Sequence, residues 1–239
     1  MAAYVTRLLK RRDLTDDTAA FVLARPEGFA WRAGQSINLT LVEPAETDAK
    51  GATRTFSLVS APGEANLEIA TRLRTSAFKR VLASLVPGAP LQMRGPGGKF
   101  TLPEGDRPVV MAAGGIGITP FVSILRDVAA RGVARPITLL YSTRRAQDAP
   151  YLEELTAMQR RGAGVHVVHT ATSQEHGSRA VNGGHGPIDA AMIGHHVADL
   201  QAPAWMLAGP PGFVTGLRRT LMDAGVEAAA ILLDEFYGY

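Results

Sequence analysis

Arg54-Thr55-Phe56-Ser57 sets a guanidinium, an aromatic ring and two hydroxyls within four residues. Side chains alternate along a strand, so Arg54 and Phe56 share one face and Thr55 and Ser57 the other. A guanidinium pairs with phosphate through a fork of donors, and a ring offers a flat apolar surface. The pattern therefore suits a ligand that carries both a ring and a phosphate; it also suits an exposed charge beside a core ring. A second stretch, Arg72-Leu73-Arg74-Thr75-Ser76, leads into an apolar-periodic segment. Ser76 is an expected N-cap, and the N–H groups of Thr75, Ser76 and Ala77 would face another phosphate. Plain capping beside a solvated basic pair is the other reading, and for Arg74 the preferred one.

A third stretch is Gly114-Gly115-Ile116-Gly117-Ile118-Thr119-Pro120, which follows the apolar run Val109-Val110-Met111-Ala112-Ala113. Strand, glycine turn and helix are expected in that order, with Thr119 as N-cap and Pro120 at the first helical position. Such a turn turns bare N–H groups and the positive helix end toward an anion. The spacing is not G-x-G-x-x-G, and a glycine turn without a ligand would look the same. Tyr141-Ser142-Thr143-Arg144-Arg145 and Ala208-Gly209-Pro210-Pro211-Gly212 likewise follow expected strands. Ligands of parallel sheets sit at the carboxyl ends of the strands, so these three stretches should converge. Ser142, Arg144 and Arg145 are candidates for a ribose or a 2′-phosphate, with solvent-facing arginines as the alternative.

The elements that would position them fall into two halves. Residues 4–102 read as short strands at 18–23, 36–42, 55–59, 66–71 and 90–94, with one helix at 76–85 and a polar loop at 43–53. That density suggests a small antiparallel barrel. Gly95-Pro96-Gly97-Gly98 is glycine-rich enough that backbone must pass close to something. From Arg107 strands alternate with helices (109–112, 121–130, 137–141, 151–159, 165–169, 187–193, 204–207, 213–224, 229–233), the signature of a parallel sheet covered on both faces. The boundary is expected at 104/105, dividing 1–104 from 105–239.

The 239 residues are 46% hydrophobic and 20% charged, values of a globular chain. With no cysteine there is no disulfide, zinc–thiolate or cysteine-ligated iron–sulfur site. The six histidines, His166, His169, His176, His185, His195 and His196, lack ligand spacing, so no metal site is expected. No apolar run reaches membrane-spanning length and the N-terminus lacks a secretory pattern, so the expected location is the cytoplasm. The net charge of +3 without basic–aromatic interleaving excludes nucleic acid as the expected partner.

Taken in order, Arg54-Thr55-Phe56-Ser57, the Gly114–Pro120 motif, Gly209-Pro210-Pro211 and the C-terminal Glu235-Phe236-Tyr237-Gly238-Tyr239 resemble the ferredoxin–NADP(+) reductase family. The resemblance covers essentially the whole chain and is nearest to the short bacterial flavoprotein reductases ending in Glu-Phe-x-Gly-Tyr. It implies an α/β two-domain protein: an antiparallel flavin-binding β-barrel, then a parallel-sheet nicotinamide-binding domain. It implies FAD and either NADP or NAD as cofactors. It also implies an oxidoreductase that passes hydride from NAD(P)H to the flavin, and electrons on to a ferredoxin, a flavodoxin or an oxygenase component.

By the same resemblance Arg54 would pair with the flavin pyrophosphate, with Thr55 beside it, while Phe56 packs on the flavin ring and Ser57 hydrogen-bonds near N5. Arg72, Thr75 and Ser76 match the second flavin-phosphate segment. Gly114, Gly115, Gly117 and Thr119 would receive the dinucleotide, and Gly209 and Pro210 shape its nicotinamide end. Glu235, Phe236 and Tyr239 match the segment beside the flavin, which makes Ser57 and Glu235 the expected proton-handling pair. The chain departs from the family with Ala208 for a frequent Cys, Phe56 for Tyr, and Gly186-Pro187-Ile188 for Gly-Arg-Ile. The last departure removes a dinucleotide-phosphate contact. Arg72, Arg74, Lys79, Arg80 and Lys99 would steer an acidic carrier or form a plain solvated face. Two rival readings share these residues: a reductase of free flavin, ferric chelates or quinones, and a non-catalytic redox-sensing subunit.

Overall fold

A computed structural model describes residues 2–73, 76–173 and 182–237. Arg74, Thr75, His176 and Tyr239 lie outside the described residues, as does much of the loop expected at 173–186.

The first sheet contains β1 (Ala2–Thr15), β2 (Thr18–Ala24), β3 (Ser36–Leu41), β4 (Thr53–Ser57), β5 (Asn66–Arg72) and β6 (Pro90–Gly97). Its strands run in the order β4-β3-β6-β1-β2-β5, every pair antiparallel. A bridge between Leu58 and Ile69 joins the two edges, so the sheet curls into a barrel. β1 makes the curl possible. Its first half pairs with β6 and its second with β2, with register shifts between Leu8 and Lys10 and between Asp13 and Thr15. Leu8, Phe21, Leu23, Ile37, Leu39, Leu67 and Met93 fill the interior. Helix α1 (Ala77–Ser84) adds Phe78 and Leu82 to that core, with Ser76 accepting from the Lys79 N–H as its cap. Gly95 runs so close over β3 that an added Cβ would lie 2.9 Å from an Ile37 methyl, the close approach expected of that turn.

The second sheet is parallel, in the order β11-β10-β7-β8-β9. It comprises β7 (Val109–Gly114), β8 (Ile137–Thr143), β9 (Val165–Ala171), β10 (Ala204–Gly209) and β11 (Ile231–Glu235). Helices α2 (Ile118–Arg131), α3 (Leu152–Arg160), α4 (Ala190–His196) and α5 (Pro211–Asp223) link the strands. Alternation along β7 sends Val109, Met111 and Ala113 to the face covered by α2, and Val110 and Ala112 to the core that includes Val214, Leu217 and Leu221 of α5. No described helix is long and apolar enough to cross a membrane.

Several expected boundaries shift, among them the last strand, which runs Ile231–Glu235 rather than 229–233. The fourth strand occupies 53–57 rather than 55–59, and the short helix begins at Ala190, capped by Asp189, rather than at 187. Thr119 is not an N-cap. The glycine turn winds as one 3-10 turn over Gly115–Gly117, so α2 starts at Ile118 and the Thr119 hydroxyl donates to the Ile116 carbonyl at 3.1 Å.

Polar contacts lock the sheets together. Glu68 on β5, 8% exposed, accepts from the Tyr151 hydroxyl at 2.6 Å, from Arg126 at 3.3 Å and from Arg12 at 3.1 Å. Ser123 of α2 donates to the Ser60 carbonyl at 2.7 Å. Buried Arg135 holds the connection between sheets through the carbonyls of Pro103 and Arg107.

At the strand ends, backbone meets backbone. A Cβ on Gly117 would lie 2.3 Å from the Ala208 carbonyl oxygen, and one on Gly209 about 3.0 Å from that of Gly114. Gly117→Ala is expected to destabilise the fold by roughly 3 kcal/mol or more, because backbone on both sides must move. Gly216→Ala, in open space within α5, should stabilise it by about 0.5–1 kcal/mol. Urea unfolding of both variants checks the contrast.

Candidate active site

A cavity of about 760 Å³ opens where β4, the start of α1 and the end of β11 meet. Arg54, Thr55, Phe56 and Ser57 line one side, Ser76 and Lys79 border it, and Asp234, Glu235, Phe236 and Tyr237 close the other. The barrel's edge strand is thus brought against the last strand of the parallel sheet.

Arg54 enters from the β4 face it shares with Phe56. Its guanidinium lies 5.2 Å over the Phe78 ring, and its Nη2 donates to Asp48 Oδ1 at 2.6 Å. The Phe56 ring is turned into the barrel, 2% exposed and 5.8 Å from Phe78, so it supports the wall rather than presenting an open stacking face. Tyr237 is the exposed ring at the cavity. On the other β4 face, Thr55 donates to Asn38 and Ser57 meets Asp234.

Asp234 was not among the expected site residues. It stands in the wall between this cavity and a second of about 350 Å³ bordered by Gly34, Gly98, Lys99 and Leu233. Burial pushes its carboxyl up to about 6, with the Ser57 hydroxyl pulling the other way. Glu235 instead accepts from the Tyr237 hydroxyl. Both carboxylates stand in one Asp-Glu pair. Strand alternation puts them on opposite sides, and placing Ser57 on the outer face of β4 was the signal that could have singled out Asp234.

The second cluster lies along the strand ends. Register sets Gly114 beside Ser142 and Gly209 beside Glu235, and the Phe236 N–H donates to the Gly209 carbonyl at 2.9 Å. Pro210 follows, exposed, as the residue preceding α5. A Cβ on Gly114 would meet the Phe213 ring at 2.8 Å, and one on Gly115 would come to 3.2 Å from the Arg72 guanidinium. Arg72 therefore sits at the glycine turn and does not line the Arg54 cavity. Thr119 is 2% exposed, Ser142 is buried, and Arg145 is paired through two hydrogen bonds with Asp148. Arg144 is exposed. His169 is buried and bonded to the Thr143 hydroxyl, and desolvation lowers it to about 4. Among the described residues no group of histidines and carboxylates could hold a metal ion.

The donor set fits a flavin nucleotide. Arg54 already grips an anion, the Asp48 carboxylate; the wall around Phe56 is apolar; and proton-bearing groups stand opposite. The volume is that of a cofactor site.

Residues 111–219 match the family model for the oxidoreductase NAD-binding domain. The chain is similar to ferredoxin–NADP reductase B of Sorangium cellulosum, 31% identical over 224 residues covering 90% of this chain and 87% of that protein. The chain belongs to the ferredoxin–NADP reductase family. It is also 30% identical to the ferredoxin–NAD(+) reductase component of the alkene monooxygenase system of Xanthobacter autotrophicus, over 75% of this chain and 55% of that protein. It spans little more than half the length of that and two further relatives. Among solved structures, the FAD/NAD-binding domain of a Vibrio cholerae nitric oxide dioxygenase superposes with a TM-score of 0.84 at 22% identity, covering 97% of this chain and 98% of that one. A Neisseria gonorrhoeae ferredoxin NADP+ reductase with bound FAD and NADP gives 0.81 at 21% identity, covering 98% of each. These structures share the fold of this chain.

Asp234 and His169 act oppositely on stability. Asp234, raised to about 6 from 3.8, favours the fold when protonated, and that contribution is lost as pH rises through about 6. His169, lowered to about 4 from 6.5, favours the fold when neutral, and that is lost as pH falls through about 4. Asp234→Asn should therefore gain stability over the parent as pH rises from about 4 to about 6, by at most about 3 kcal/mol. Urea unfolding of the flavin-free proteins across that range measures it; a difference that ignores pH would contradict the assignment.

Proposed function

We propose that this family member is an FAD-dependent NAD(P)H reductase that serves a separate electron acceptor. Residues 1–104 form its flavin half and residues 105–239 its nicotinamide half. The observation that carries the reading is the single cavity joining Arg54–Ser57 to Asp234–Tyr237. When bound there, the flavin accepts hydride from the nicotinamide and releases electrons singly.

The chain's residues bind, orient and shield. Arg54 holds the diphosphate and Ser76 caps the helix that faces it. Ser57 orients the ring's reactive edge, Asp234 holds a proton within reach of it, and Glu235 accepts from the Tyr237 hydroxyl beside it. Tyr237 covers the cavity and must move for a nicotinamide to reach the flavin, so it excludes water between turnovers. The dinucleotide lies along Gly114–Gly117, Ser142 and Gly209–Pro210. Pre-set geometry supplies the acceleration, since no side chain forms a covalent bond to the reactants.

The acceptor is a ferredoxin, a flavodoxin or an oxygenase component. The reading is supported by the two relatives named as ferredoxin reductases, one of them part of a monooxygenase system. The site of action is the cytoplasm, where the nicotinamide reductants are made. Arg144 remains exposed while Asp148 balances Arg145, so a 2′-phosphate would rest on Arg144.

Anaerobic rapid mixing of the FAD-loaded protein with NADPH and with NADH tests the reading. Fast loss of flavin absorbance with either supports it; no loss with both overturns it. If NADPH is preferred, Arg144→Ala should erase most of that preference, about 1–2 kcal/mol in kcat/KM, while leaving the NADH rate unchanged.

A further inference from the structure

Four hydrogen bonds tie the two terminal nitrogens of the Arg54 guanidinium to the chain just before it. Nη1 donates to the carbonyls of Lys50 at 3.0 Å, Gly51 at 2.8 Å and Thr53 at 2.8 Å, while Nη2 meets Asp48 at 2.6 Å. The same Asp48 oxygen accepts from the Lys50 N–H at 2.9 Å, which folds the loop back on itself. Eight residues before Arg54, Glu46 makes two hydrogen bonds to Arg80 of α1. The loop is thus held along the cavity by two acid–arginine pairs, one to β4 and one to α1. Asp48 and Lys50 line the cavity together with Arg54. The Arg54 hydrogen bond and the Lys50 N–H hold the Asp48 carboxyl below its usual range, so it is charged at neutral pH.

A phosphate and a carboxylate seek the same edge of a guanidinium. Carbonyls already take Nη1, so an anion that reaches for Nη2 competes there with Asp48, and left side by side the two would repel. We infer that Asp48 is an internal competitor for the flavin phosphate: it occupies the Arg54 edge in the flavin-free protein and is displaced, with its loop, when a phosphate-bearing flavin binds. This rests on the assignment of the cavity to flavin given above. Binding is then an exchange of one anion for another on a single cation. Affinity for flavin is lowered by the lost carboxylate pair, and the flavin is exchangeable rather than permanently held. The residue therefore sets whether this chain works with a resident flavin or with flavin that comes and goes.

Flavin-free protein titrated with FAD and with riboflavin, followed by flavin fluorescence, tests the exchange. Riboflavin has the ring but no phosphate. Asp48→Asn keeps the acceptor for the Lys50 N–H and removes the charge. It should tighten FAD binding by roughly five- to tenfold and leave riboflavin affinity unchanged. Asp48→Glu, which restores the charge, should bring FAD affinity back toward the parent value. Unchanged or weaker FAD binding in Asp48→Asn would overturn the inference, as would equal shifts for FAD and riboflavin, which would mark a loosened loop instead. If neither the parent nor Asp48→Asn binds FAD while both stay folded, the flavin assignment of the cavity itself falls.

Discussion

Glu68 lies between the two sheets and takes hydrogen bonds from Arg12 of the barrel and from Arg126 and Tyr151 of the second half. A buried carboxylate is costly unless its lone pairs are satisfied, and here satisfaction requires both halves in one relative position. The cavity depends on that position. Ser57 comes from the barrel's edge and Asp234 from the final strand of the other sheet, so neither half contains the site alone. A small rotation about Glu68 would part them. Arg135 and Ser123 reinforce the same arrangement from the connecting segment and from α2.

The glycines show how packing and binding share residues. Gly114, Gly117 and Gly209 are each required by a neighbour: the Phe213 ring, the Ala208 carbonyl and the Gly114 backbone. Those contacts bring two strand-to-helix turns together at the carboxyl ends of the neighbouring strands β10 and β7. The surface they leave is smooth backbone, to which an extended dinucleotide can lie close. The contact-driven reading of this motif and the ligand-driven one are therefore compatible.

Much of this was legible in the sequence because hydrophobic periodicity changes from short alternating runs to strand–helix alternation near residue 105. Ser76 capped its helix as its type and position implied. The length of β1 was harder to see. Its Lys10-Arg11-Arg12-Asp13 run looks like a loop, yet those residues pair with β2 while their charged heads reach Ala83, Asp13 and Glu68. Thr119 misled for a local reason, since glycines wound the helix earlier than a capping residue would. Arg54 by its strand pattern and Arg72 by the family resemblance both read as phosphate ligands. Only the folded barrel shows that β5 ends at the glycine turn while β4 borders the cavity. Charge balance was equally hidden: Asp148 on Arg145 and Asp48 on Arg54 are local pairs whose geometry depends on turns without periodicity.

In the proposed reading, one cavity built by β4 and the end of β11 holds the flavin. A crystal structure of the FAD-loaded protein tests it most directly. Diphosphate density is expected on Arg54, with the flavin ring between Ser57 and the Asp234–Tyr237 segment. Flavin density elsewhere on the molecule, with Arg54 still closed on its own loop, would contradict it.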